Sequence, residues 1–433
     1  LSDINDKDYS FTVKDGAANA SYTGSGVVDT VFGNGGDDSI SSGAGADVVD
    51  GGAGADTITG GTGQDTLTGG AGKDIFKYAL GSSETTVEKP DTITDFSSGN
   101  DTINISLTTA GSTYDFTNKG TATDASSSIE KLSSVKGQYL FNSTKNSIVL
   151  DTNGNGLLQA SDYEVLLTGV TALADADITF DITTASGTAD VITTGNGADT
   201  IVLAKADDAV TAGKGNDTVS LGNITYTGGA VIAGGEGTDT LTVTADADIT
   251  AYTTEVTGFE KITLATDVNI TLSSATAALL NAATAPTVDG NASAANESFI
   301  VTTPTAGTTL DISSITFGTD ANAVLTGNNG IDVITASNGN DYLDGAALDD
   351  THVGKAGNDT YNIGEVTGAD KFVETASNGT DTLILAVDGG DYTAQKYGTT
   401  AANAAAASMA NFEQIVLGDS VNATLLAANL AGN

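Results

Sequence analysis

GNGGDDSIS, SGAGADVVD, GGAGADTIT, GGTGQDTLT and GGAGKDIFK follow one another without a break over residues 33–77, five units of nine residues each. The nine residues before them, GSGVVDTVF at 24–32, are a worn copy of the same unit. Aspartate recurs at Asp29, Asp38, Asp47, Asp56, Asp65 and Asp74, and two positions later an apolar residue recurs at Val31, Ile40, Val49, Ile58, Leu67 and Phe76. A flexible acidic linker can share this composition but has no reason to keep the apolar register. The period predicts an all-β chain of parallel β-rolls. Each unit supplies a glycine-rich turn and a three-residue strand with one side chain inward, and two units close one coil.

The same period returns twice. Asp190, Asp199, Asp208 and Asp217 lie nine apart with Ile192, Ile201, Val210 and Val219 at the partner positions, and GGEGTDTLT adds one more unit around Asp239. A third block carries Asp332, Asp341, Asp350 and Asp359 with Ile334, Leu343, His352 and Tyr361. Three blocks suggest three modules: 1–182 with a roll at 24–77, 183–322 with a degenerate roll, and 323–433. Each roll is followed by a β-rich segment, and the last of these includes an alanine-rich stretch at 401–407 that favours a short helix.

Composition narrows the chemistry. The 433 residues include 54 glycines, 3 prolines and no cysteine, and 56 acidic residues face 15 basic ones, all lysine, for a net charge of −41. That field repels phosphate, and without arginine there is no bidentate phosphate or guanine contact, so nucleic acid is not an expected partner. Disulfides and thiolate metal sites are excluded, and no apolar run is long enough for a transmembrane segment. Self-repulsion of this size opposes a compact fold unless cations offset it. The start at Leu1, with no basic-then-apolar leader, reads as a piece of a longer or processed polypeptide.

Aspartates between glycine turns are suited to one cation in particular. Glycine permits positive φ and close approach of carbonyls, aspartate adds a hard carboxylate oxygen, and Ca²⁺ takes six to eight oxygens. In the first block the candidate ligands are Asp29, Asp38, Asp47, Asp56, Asp65 and Asp74 with Gly33, Gly35, Gly36, Gly45, Gly51, Gly52, Gly54, Gly60, Gly61, Gly63, Gly69, Gly70 and Gly72. The later blocks add Asp190, Asp199, Asp208, Asp217, Asp239, Asp332, Asp341, Asp350 and Asp359. A separate loop, DTNGNGLLQASD at 151–162, places Asp151, Asn153, Asn155 and Asp162 at EF-hand positions 1, 3, 5 and 12, with Asp162 where glutamate is usual. An Asn-Gly hairpin turn accounts for the same residues.

The repeat resembles the G-G-x-G-x-D-x-U-x motif of the RTX (repeats-in-toxin) family. The resemblance implies a calcium-loaded parallel β-roll in which each ion bridges units two apart, pairing Asp38 with Asp56, Asp47 with Asp65, and Asp56 with Asp74. It also implies several bound Ca²⁺ ions, folding outside the cell and secretion by the type I route. The pattern is broken where 203–206 replace the glycines before Asp208 and where Ala346, Ala347 and Leu348 precede Asp350. Among RTX proteins, long Thr/Ala/Gly/Asp-rich chains of this kind look most like bacterial surface-layer proteins. The expectation is then a calcium-dependent structural protein that self-associates into a lattice on the cell surface, with cell-surface polysaccharide as a candidate ligand. Two alternatives stand beside it: an adhesin or matrix segment, and the C-terminal RTX part of a secreted protease or lipase.

No catalytic constellation is legible. There is no cysteine nucleophile and no H-E-x-x-H pair. The single histidine, His352, falls at an inward apolar position, so a core side chain is expected there and no enzymatic activity is assigned.

Overall fold

A computed structural model describes residues 12–14, 18–80, 90–109, 112–122, 135–154, 162–184, 189–205, 207–222, 231–251, 256–282, 286–289, 297–302, 309–318, 321–363, 370–374, 379–386, 396–398 and 414–417. They divide into two compact units, one of 1–202 with 208–218 and the other of 203–207 with 219–433. Both are built almost wholly of short parallel strands. The three-module division stays a reading of the repeats.

In the first unit the strands alternate between two faces. Thr30–Phe32, Val48–Ala53, Thr66–Ala71 and Asp91–Ile93 pair in parallel on one, and Ser21–Thr23, Ser39–Ser41, Thr57–Thr59 and Ile75–Ala79 on the other. Ile40 stands opposite Ile58 and Val49 opposite Leu67, so one coil is 18 residues, as two nonapeptides require. Val49, Ile58, Leu67 and Phe76 are completely buried between the faces. Each contributes about 1.5–3 kcal/mol by leaving water. Because each three-residue strand points one side chain inward, the core of the roll is a thin ladder.

The first unit continues past its repeats. Thr102–Thr108 and Ile178–Thr183 extend the second face in parallel. Tyr163–Leu167 extends the first and turns back through antiparallel Ser147–Leu150 and Tyr139–Asn142. Phe116, Tyr139 and Phe180 fill the space beneath, with ring centroids 4.7 Å apart for Phe116–Phe180 and 5.9 Å for Tyr139–Phe180.

The second unit is parallel in every recorded pairing. Its longest series is Ala247–Asp248, Asn269–Ser273, Glu297–Thr302, Ala321–Asn328, Asp341–Ala346, Thr360–Ile363, Thr382–Leu385 and Gln414–Leu417. The segments after the rolls therefore extend the coils: Lys261–Leu264 pairs in parallel with Thr240–Val243. An α-helix, Ser274–Ala282, interrupts them. Ser273 Oγ accepts from Thr276 N at 3.2 Å and caps it. Sequence reasoning placed a helix at 401–407 instead, which lies outside the described residues. His352 is buried in line with Ile334 and Phe372, its ring stacked on Phe372 at 5.0 Å and edge-on to Tyr361 at 6.3 Å. Among the described residues no helix is long and apolar enough to cross a membrane.

Candidate metal centre

The aspartate that ends each turn fastens one coil to the one before it. Asp47 Oδ1 accepts from Asp29 N at 2.7 Å, Asp56 from Asp38 N at 2.8 Å, Asp65 from Asp47 N at 2.8 Å and Asp74 from Asp56 N at 2.9 Å. Asp38 accepts from Ala20 N at 2.7 Å. The degenerate blocks do the same, with Asp208 on Asp190 N, Asp217 on Asp199 N, Asp350 on Asp332 N and Asp359 on Asp341 N, all within 2.8–2.9 Å. Loss of glycine before Asp208 and Asp350 thus leaves the aspartate ladder intact. The aspartate pairs expected to share an ion stand on consecutive coils.

The second carboxylate oxygen is the chemically open one. Oδ2 of Asp56, Asp74 and Asp359 is buried and receives no hydrogen bond, in side chains that are 1% exposed. A buried carboxylate oxygen left in this way is costly unless a cation or proton meets it. The first glycine of each motif keeps the space around it clear. A Cβ on Gly51 would lie 2.4 Å from Asp56 Oδ2 and 2.8 Å from Gly69 O, and one on Gly69 would lie 2.5 Å from Asp74 Oδ2. Gly33 and Gly60 stand likewise against Asp38 and Asp65.

The other glycines set the turn. Gly36, Gly45, Gly52, Gly54, Gly61, Gly63, Gly70 and Gly72 have positive φ, and Gly35 N donates to Gly33 O at 3.1 Å. Among the described residues no three acidic or histidine side chains converge to hold a metal. The remaining oxygens of a calcium shell would have to be glycine carbonyls, which the turn brings close. The donor set, hard oxygens only, fits Ca²⁺.

Electrostatics agree with the geometry. Burial pushes the carboxyls of Asp56 and Asp47 up, with further acidic charges adding to it. Asp74 is pushed up to about 6 by burial and by the charges of Asp101 and Asp56. Burial also raises Asp341 to about 6, Asp199 to about 7 and Asp359 to about 8. A carboxyl raised in the folded state binds protons on folding. The metal-free fold therefore has this stability in full below the unfolded carboxylate pKa near 4 and loses it as pH rises through about 6–8. Burial lowers His352 to about 4, which acts the other way between the histidine's ordinary range and that value, but it is one group against several. In a chelator, the β circular-dichroism signal is expected to be larger at pH 5 than at pH 8, and added calcium should restore it at pH 8. A metal-free chain better ordered at pH 8 would contradict this.

Other sites are placed differently. In the 151–162 loop, Asp162 Oδ1 accepts from Thr152 N at 3.2 Å and Asn153 Nδ2 at 2.9 Å, and Asp151 Oδ1 from Gly154 N at 2.7 Å. The loop joins two antiparallel strands, and Asn155 lies outside the described residues. Ladder members not foreseen from the sequence are Asp91, Asp101, Glu260, Asp370 and Asp381, which accept from the N–H of Asp65, Asp74, Asp239, Asp350 and Asp359 at 2.8–3.1 Å. Their signal was an acid two residues before an apolar one, as in DTI at 91–93 and EKI at 260–262, without the full run of motif glycines.

The family model of the RTX calcium-binding nonapeptide repeat matches residues 184–219 and 317–352. The chain carries RTX repeats. Such repeats bind calcium, and the aspartate ladder is their structural counterpart here. The model for the C-terminal region of M10 serralysin peptidases matches residues 3–180, which include the first roll and the strands after it. Neither match is to a catalytic domain, and together they fit a type I secreted RTX protein. No curated protein matches the chain significantly.

Proposed function

We propose that this RTX chain is a calcium-dependent structural protein of a bacterial extracellular surface layer, folding on several Ca²⁺ ions after secretion and then self-associating. The supporting observation is the run of buried carboxylates whose open oxygens face glycine turns, repeated through both units with nothing catalytic between them among the described residues. A charge of −41 makes association dependent on cations, which can offset repulsion within a coil and between neighbouring molecules. Low cytosolic calcium would keep such a chain unfolded for export, and millimolar calcium outside would fold it.

The serralysin-type match over 3–180 favours a second reading, in which the chain is the secretion-side part of a larger secreted enzyme. Negative-stain electron microscopy of the purified chain during calcium addition separates the two. Ordered two-dimensional arrays are expected for a surface layer. Dispersed particles at saturating calcium would remove the lattice reading, and a protease or lipase domain encoded upstream would establish the second.

A further inference from the structure

The ladder aspartates are of two kinds. Asp29 Oδ2 accepts from both N and Oγ of Ser25 at 2.9 Å, and Asp341 Oδ2 accepts from Ser337 N at 3.0 Å and Ser337 Oγ at 2.8 Å. The donor in each case stands four residues before the aspartate. In the open turns that position is held by Gly52 before Asp56, Gly70 before Asp74 and Lys355 before Asp359, with φ of +104°, +100° and +77°. No donor from these residues reaches the carboxylate, and Asp56, Asp74 and Asp359 keep a buried oxygen with no hydrogen bond. Ser25 and Ser337 lie outside the left-handed region. At Asp29 the residue with ordinary φ and a hydroxyl therefore closes the turn with the chain's own donors, whereas Asp341, met at Oδ2, keeps Oδ1 buried with no hydrogen bond.

We infer that Ser25 closes its turn in place of calcium, so that Asp29 is a lock made by the chain itself while Asp56, Asp74 and Asp359 are cation ligands. The inference rests on the calcium reading above. A carboxylate oxygen that already holds two hydrogen bonds gains less from a cation than a bare one, and binding there would first have to break both bonds. The coil closed by Ser25 would thus need no metal.

The test counts calcium bound per full-length chain by atomic emission after gel filtration, with folding in saturating calcium checked by circular dichroism. Ser25→Gly uncovers an oxygen and should raise the count. Asp29→Asn should leave it at the wild-type value, whereas Asp74→Asn should lower it. An unchanged count in Ser25→Gly, or a loss in Asp29→Asn equal to that in Asp74→Asn, would overturn the inference. The two variants of this turn report independently if one of them fails to fold. A wild-type chain that binds no calcium would instead defeat the calcium reading itself.

Discussion

A chain stripped of calcium at neutral pH is expected to lose most of its β circular-dichroism signal and to regain it cooperatively as calcium is returned. Each open turn buries a carboxylate oxygen without a partner, and the whole molecule carries −41 charges. A site held at about 100 times its Kd contributes about 2.7 kcal/mol, so three such sites supply about 8 kcal/mol. That is comparable with the entire net stability of an ordinary domain, about 5–15 kcal/mol. The thin core of the first roll cannot make up the difference, because its three-residue strands bury a single apolar side chain each. Magnesium should substitute poorly, since it demands tighter octahedral geometry and keeps its waters. Retention of the same β signal and melting temperature in a chelator would refute the account.

Gly63→Ala should be among the most damaging single substitutions. Gly63 has φ of +139°, outside the left-handed region that other residues reach, and a Cβ there would lie 1.6 Å from the carbonyl oxygen of Gly45 on the previous coil. The coils would have to separate where their carbonyls stack, at a cost of about 3 kcal/mol or more. Thr62→Ala, one residue earlier at a variable motif position, should change stability by less than about 0.5 kcal/mol. Chemical denaturation in saturating calcium measures both, and equal midpoints for the two variants would contradict the packing described here. The neighbouring motif position behaves differently. Asn34, Ala346 and Lys355 stand at the second glycine's place with φ of 70°, 65° and 77°, values that side chains with a Cβ can adopt.

His352 shows how far a repeat position carries information. The period placed it inward among Ile334, Leu343 and Tyr361, and it is buried against Phe372 and Tyr361, a neutral ring in an apolar ladder. The helix Ser274–Ala282 was not anticipated, although its alanines and preceding serine carry the ordinary signs of one. The nonapeptide blocks around it drew attention to turns and strands alone.

The sequence by itself determined the 18-residue coil, the identity of the inward side chains and the spacing of the aspartates, because a strict period leaves one register that buries the apolar residue two positions after each repeat aspartate. It could not show that the ladder runs on through Asp91, Asp101, Glu260, Asp370 and Asp381. Those residues follow their partners by 26, 27, 21, 20 and 22 positions, so the period is lost while the contact is kept. Only the tertiary structure decided which carboxylate oxygens are met by the chain and which stay open. That depends on the backbone angle and hydroxyl of a residue four positions away, and a difference of one hydrogen bond leaves no trace in the spacing.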